Sequence, residues 1–129
     1  MNERKPILVL DFDGVIHSYD SGWKGADVIP DPPVPGAIAF ILQALKFYRV
    51  CIFSSRSNQR GGISAMTRWL NEHGGQCWHE TPDGPGLEAV EFPVTKPAAF
   101  LSIDDRALTF TGVWPDPQEL LSFKPWNKQ

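Results

Sequence analysis

Three short apolar runs, each ended abruptly by polar residues, constrain the fold of this chain more than any other feature. Ile7-Leu8-Val9-Leu10 stops at Asp11-Phe12-Asp13-Gly14, and Val50-Cys51-Ile52-Phe53 stops at Ser54-Ser55-Arg56. Ala98-Ala99-Phe100-Leu101-Ser102-Ile103 stops at Asp104-Asp105. A run that is apolar at every position, not at alternate ones, fits a strand covered on both faces, as in a parallel sheet. Between the runs the period changes. After Pro32-Pro33-Val34-Pro35-Gly36, the residues Ile38, Ile41, Leu42 and Leu45 recur at helical spacing, which predicts a helix over 36–47. Ile63, Met66 and Leu70 predict a second helix over 62–73, stopped by Gly74-Gly75. Gln76-Cys77-Trp78-His79 reads as a short strand, and residues 112–114 or 120–123 are alternative places for one more.

Strand and helix in alternation define an α/β fold, here expected to be a three-layer, Rossmann-like arrangement with a mainly parallel central sheet and right-handed crossovers. At 129 residues one domain over 1–129 is expected. Hydrophobic residues at 42% and charged residues at 21% exclude a disordered or fibrous chain. The charge of -3, from 15 acids against 12 bases, supplies no broad basic field for a nucleic-acid backbone. Cys51 and Cys77 are too few for a disulfide scaffold and read as small buried thiols. The charged start Met1-Asn2-Glu3-Arg4-Lys5-Pro6 leads into an apolar run too short for a signal-peptide core or a bilayer span, so a cytoplasmic protein is expected.

In open parallel sheets, ligands bind beyond the carboxyl ends of the strands, and all three polar caps lie on that edge. Asp11 and Asp13 are two residues apart, so in extended geometry both carboxylates project to one side and can share a cation. An isolated Asp-x-Asp-Gly is also an ordinary acidic turn. Asp104 and Asp105 change the balance, because four acids converging on one edge repel unless a proton or a hard cation such as Mg²⁺ intervenes. Ser54 offers a hydroxyl to a phosphoryl oxygen, although a serine at a strand end also serves as a local turn. Lys96 stands just before the last run, where it can neutralise a carboxylate and a phosphate together, or simply be solvated.

In this order, Asp-Phe-Asp-Gly-Val-Ile, Ser54 after an apolar strand, Lys96, and Ile103-Asp104-Asp105-Arg106 resemble the motifs of the haloacid dehalogenase (HAD) superfamily of phosphohydrolases, over residues 7–106. The resemblance implies that Asp11 is a nucleophile and Asp13 a general acid/base. It further implies a phosphate-binding hydroxyl at Ser54 or its neighbour Ser55, a catalytic lysine at Lys96, and Mg²⁺ held by Asp11, Asp13 and Asp105, with Asp104 in support. The second acid at Asp13 favours a phosphatase over a dehalogenase, which has no leaving alkoxide to protonate. Members of the superfamily usually carry a cap domain, and neither insertion point has room for one here. Residues 14–35 hold a flap around His17-Ser18-Tyr19-Asp20-Ser21-Gly22-Trp23-Lys24-Gly25, and 55–95 are used by a helix, a short strand and a loop. A capless design implies an open site, a macromolecular substrate, or a lid borrowed from another subunit in a homo-oligomer.

Ser54-Ser55-Arg56 and Ile103-Asp104-Asp105-Arg106 are similar to motifs of the phosphatase domain of polynucleotide kinase 3′-phosphatases, and the second also to some deoxyribonucleotidases. This implies a phosphate ester with a nucleotide or nucleic-acid-end bias. Arg56, Arg60 and Arg68 are candidates for a basic strip, with a solvated face as the alternative. Trp23 and Lys24 are candidate leaving-group contacts, and Trp23 could equally pack the flap down. His17, His73 and His79 show no metal-ligand spacing, although His17 falls near the site. Trp69, Trp78, Trp114 and Trp126 read as packing residues. The competing function class is a non-catalytic relative that binds phosphate or a protein partner.

Overall fold

The structure is a computed structural model that describes residues 5–129; the charged start at Met1–Arg4 lies outside them. Three parallel strands form the sheet: β1 (Ile7–Leu10), β2 (Arg49–Ile52) and β3 (Leu101–Ile103), in the order β2-β1-β3. The register pairs Leu10 with Ile52 on one side and with Ile103 on the other. β1 is therefore the centre, and Leu8, Val9 and Leu10 are buried as the continuous apolar run requires. The amide of Asp11 donates to the Ile103 carbonyl at 2.9 Å, carrying the pairing one step beyond β1 and fixing the acidic ends of β1 and β3 side by side.

The helices are α1 (Ala37–Ala44) and α2 (Gly62–Gly74). The first is shorter than the expected 36–47, because after Ala44 the chain tightens and the amides of Lys46 and Phe47 reach back only three residues. Ile41 and Ala44 of α1, Met66, Trp69 and Leu70 of α2, and Phe12 and Ile16 of the loop after β1 complete one core over the sheet. Among the described residues, no helix is long and apolar enough to cross a membrane.

The strand expected at 76–79 is not formed. Gly75–Cys77 closes as a 3₁₀ turn, with the Trp78 amide donating to the Gly75 carbonyl. The place beside β2 is taken by Glu91, whose amide donates to Val50 and whose carbonyl accepts from Ile52, both at 2.9 Å. An exposed bidentate pair, Arg49 Nε and Nη2 on Glu91, reinforces this edge. The last strand begins at Leu101, not at Ala98, and neither 112–114 nor 120–123 is a strand; Glu119–Ser122 is a 3₁₀ turn. β3 is an edge strand and all three of its residues are exposed. After it Leu108, Phe110, Val113, Trp114 and Leu121 also face solvent. Cys51 is buried as expected, while Cys77 is half-buried.

Candidate active site

The carboxyl ends of β1 and β3 bring Asp11, Asp104 and Asp105 together, with one carboxylate oxygen of each within 4.8 Å of the others. A polar cleft of about 180 Å³ opens beside them, lined by Asp11, Phe53, Ser54, Ser55, Lys96 and Asp104 among others. Four of the motif positions expected from sequence thus share one cleft. Asp105 can approach Asp11 because residue 14 is glycine. At Gly14 (φ 85°) a Cβ would collide with the Asp105 carboxylate, and the conformation itself is one that side chains resist.

Burial is the main cause that pushes Asp11 up to about 8, followed by a side-chain hydrogen bond with Asp105 and the negative charge of Asp104. At neutral pH Asp11 therefore carries a proton, and its side chain is hydrogen-bonded to Asp105. That proton occupies the electrostatic role of a cation among three oxygen-rich groups, a donor set suited to a hard ion such as Mg²⁺. Asp104, expected only in support, belongs to this group as fully as Asp105.

Asp13 was expected among the metal ligands, and its carboxylate is not part of this group. It turns toward Arg56 and His17. Arg56 Nε donates to Oδ2 at 2.9 Å and Nη2 to Oδ1 at 3.1 Å, while His17 Nδ1 lies 2.8 Å from Oδ1. Burial works to raise the Asp13 carboxyl, but the hydrogen bonds from His17 and Arg56 and the charge of Arg56 outweigh it, and the net effect is to hold it below the ordinary value.

Arg56, expected at the surface as a substrate contact, is wholly buried, so the basic strip is reduced to the exposed Arg60 and Arg68. Two local features put it inside. The Ser54 hydroxyl accepts the Arg56 amide at 3.0 Å, bending the chain as it leaves β2. α2 then starts directly on the Arg56 carbonyl, where a Cβ on Gly62 would collide. Arg56 Nη1 donates to the carbonyls of Gly25, Ala26 and Val28 at 2.9, 2.9 and 3.1 Å, and the Trp23 ring lies 4.8 Å from the guanidinium carbon. Trp23 is thus committed in part to packing the flap onto Arg56, while Lys24 is exposed.

The Ser54 hydroxyl is occupied by this turn and lies 3.7 Å from Met66 Sδ; Ser55 is the exposed hydroxyl of the pair. His17 carries more of the site than its sequence position suggests. It is wholly buried, the Asp31 amide donates to its Nε2 at 3.1 Å, and Asp31 is held in turn by Trp69 Nε1 on its carbonyl and by Ser21 on its carboxylate. Its signal in the sequence is proximity alone: four residues after Asp13, within a loop that folds back so that the Gly14 amide reaches the His17 carbonyl at 2.8 Å.

Comparison with protein-family models, with curated proteins and with solved structures gives no match for this chain.

Proposed function

We propose that the chain is a Mg²⁺-dependent phosphate monoester hydrolase of the HAD type, acting through an aspartyl-phosphate on Asp11, with a nucleotide or nucleic-acid end as the substrate class. The observation that carries this reading is the convergence of Asp11, Asp104 and Asp105 on one cleft with Ser54, Ser55 and Lys96, at the ligand edge of a parallel sheet. The parallel order β2-β1-β3 is compatible with a Rossmann-like fold.

In this reading an Asp11 carboxylate oxygen attacks phosphorus in line. The bond from phosphorus to the leaving oxygen breaks, and Asp13 passes to that oxygen a proton brought in by the phosphate monoester monoanion. Asp13 then takes a proton from the water that attacks the aspartyl-phosphate, the bond from phosphorus to Asp11 breaks, and inorganic phosphate leaves. Asp11, Asp104 and Asp105 would hold the Mg²⁺, which would supply charge neutralisation at the phosphoryl oxygens. Lys96 adds a positive charge at the cleft, and Ser55 offers the exposed hydroxyl.

The test is phosphate release, with Mg²⁺ present, from a panel of nucleoside monophosphates, 3′-phosphorylated oligonucleotides, sugar phosphates, phosphopeptides and an aryl phosphate. Turnover of at least one, lost in Asp11→Asn, is the expected result. Inertness across the panel, or turnover undiminished in Asp11→Asn with deamidation excluded by mass spectrometry, overturns the reading in favour of a binding module.

A further inference from the structure

Each oxygen of a carboxylate has room for about two hydrogen bonds, and the two oxygens of Asp13 are used unequally. Oδ1 accepts from His17 Nδ1 at 2.8 Å and from Arg56 Nη2 at 3.1 Å, with Arg56 Nε also near at 3.3 Å. Among the described residues, Oδ2 accepts only from Arg56 Nε, at 2.9 Å. Both donors are themselves fixed. The Asp31 amide donates to His17 Nε2, which leaves the ring proton on Nδ1, the nitrogen facing Asp13. The Arg56 guanidinium is gripped by three flap carbonyls on its far side.

We propose that His17 and Arg56 are positioning residues which saturate Asp13 Oδ1 and leave Oδ2 as the oxygen that exchanges a proton with the leaving group. The proposal rests on the phosphatase reading above. It gives the flap a definite role: residues 25–28 anchor Arg56, and through it they set the direction of the general acid. Neither positioning residue touches the substrate. Their loss therefore matters for formation of the aspartyl-phosphate, the step that kcat/KM reports, only where the leaving oxygen needs a proton.

The test compares two esters on the folded protein with Mg²⁺. Glycerol 2-phosphate leaves as an alkoxide that must be protonated, and 2,4-dinitrophenyl phosphate leaves as a stable phenolate. In His17→Phe and Arg56→Lys, kcat/KM for glycerol 2-phosphate should fall about 10²-fold. For the dinitrophenyl ester kcat/KM should stay within about threefold. His17→Asn, whose side-chain amide can stand where Nδ1 stood, should restore most of the lost rate, and melting temperatures identify any variant that is unfolded. Equal losses on both esters, no loss on either, absence of rescue by His17→Asn, or a wild type that cleaves only the dinitrophenyl ester overturns the proposal while the phosphatase reading stands. A wild type inert toward both esters and toward the wider panel is the separate failure of that reading.

Discussion

Asp105 sits over Gly14 so closely that its carboxylate fills the space a Cβ would take. Gly14→Ala therefore has two consequences. The left-handed backbone (φ 85°) costs about 1–2 kcal/mol for any side chain, and Asp105 has to swing away from Asp11. The expected outcome is a lower urea midpoint together with loss of any Mg²⁺-induced rise in melting temperature. A variant that keeps both would mean that the loop after β1 yields instead.

Mg²⁺ uptake should release a proton. With Asp11 pushed up to about 8, the metal-free group is protonated at neutral pH, and a cation bound by its carboxylate displaces that proton. Calorimetric titrations at pH 6.5, in buffers of different ionisation enthalpy, should report release approaching one proton per ion, falling toward zero at pH 9. Affinity should weaken by about tenfold per pH unit below 8. Asp105→Ala should abolish the binding heat. Uptake with no proton release at pH 6.5 would place the ion elsewhere.

The two C-terminal tryptophans should behave differently although both are exposed. Trp126 Nε1 donates to the Gly14 carbonyl at 2.8 Å, tying the tail to the loop that carries the site. Trp114 is 82% exposed, with the Phe110 ring tilted against it. Trp126→Phe should cost about 1 kcal/mol in urea unfolding. Trp114→Ala should stay within about 0.5 kcal/mol. Equal costs would show that the tail packs by area and not through this bond.

The parts of the molecule written locally were legible in the sequence. β1, β2 and α2 are each announced by their own periodicity, and the acids at Asp11, Asp104 and Asp105 stand where apolar runs stop. What could not be read depends on partners distant in the chain. Arg56 has the composition of a surface residue, and it is buried because Asp13 lies 43 residues away and three carbonyls lie 28 to 31 residues away. The direction of the Asp13 carboxylate follows from that burial, and it turns the side chain away from the group formed by Asp11, Asp104 and Asp105. The strand expected at 76–79 failed through competition, because Glu91 pairs with β2 in its place.

Stability should depend on pH through two aspartates of opposite sign. Asp13 is held below its ordinary value in the folded chain, so its contribution is fully present above the unfolded pKa near 3.8. It is lost as pH falls through the lower folded value. Asp11 is raised to about 8, so the folded chain binds an extra proton between about 4 and 8, and stability drains away as pH climbs through that window. Without metal, the free energy of unfolding should therefore fall at both ends, with its maximum on the acid side of neutrality. Asp11→Asn should remove the alkaline decline and raise the melting temperature at pH 8 by several degrees, an effect that shrinks toward pH 4. Asp13→Asn removes the charge that faces the buried guanidinium of Arg56 and should cost about 3–5 kcal/mol at pH 7. Chemical unfolding of the three proteins from pH 3 to pH 9 checks this. An Asp11→Asn curve parallel to wild type above pH 6 would mean that Asp11 is already ionised in the folded chain.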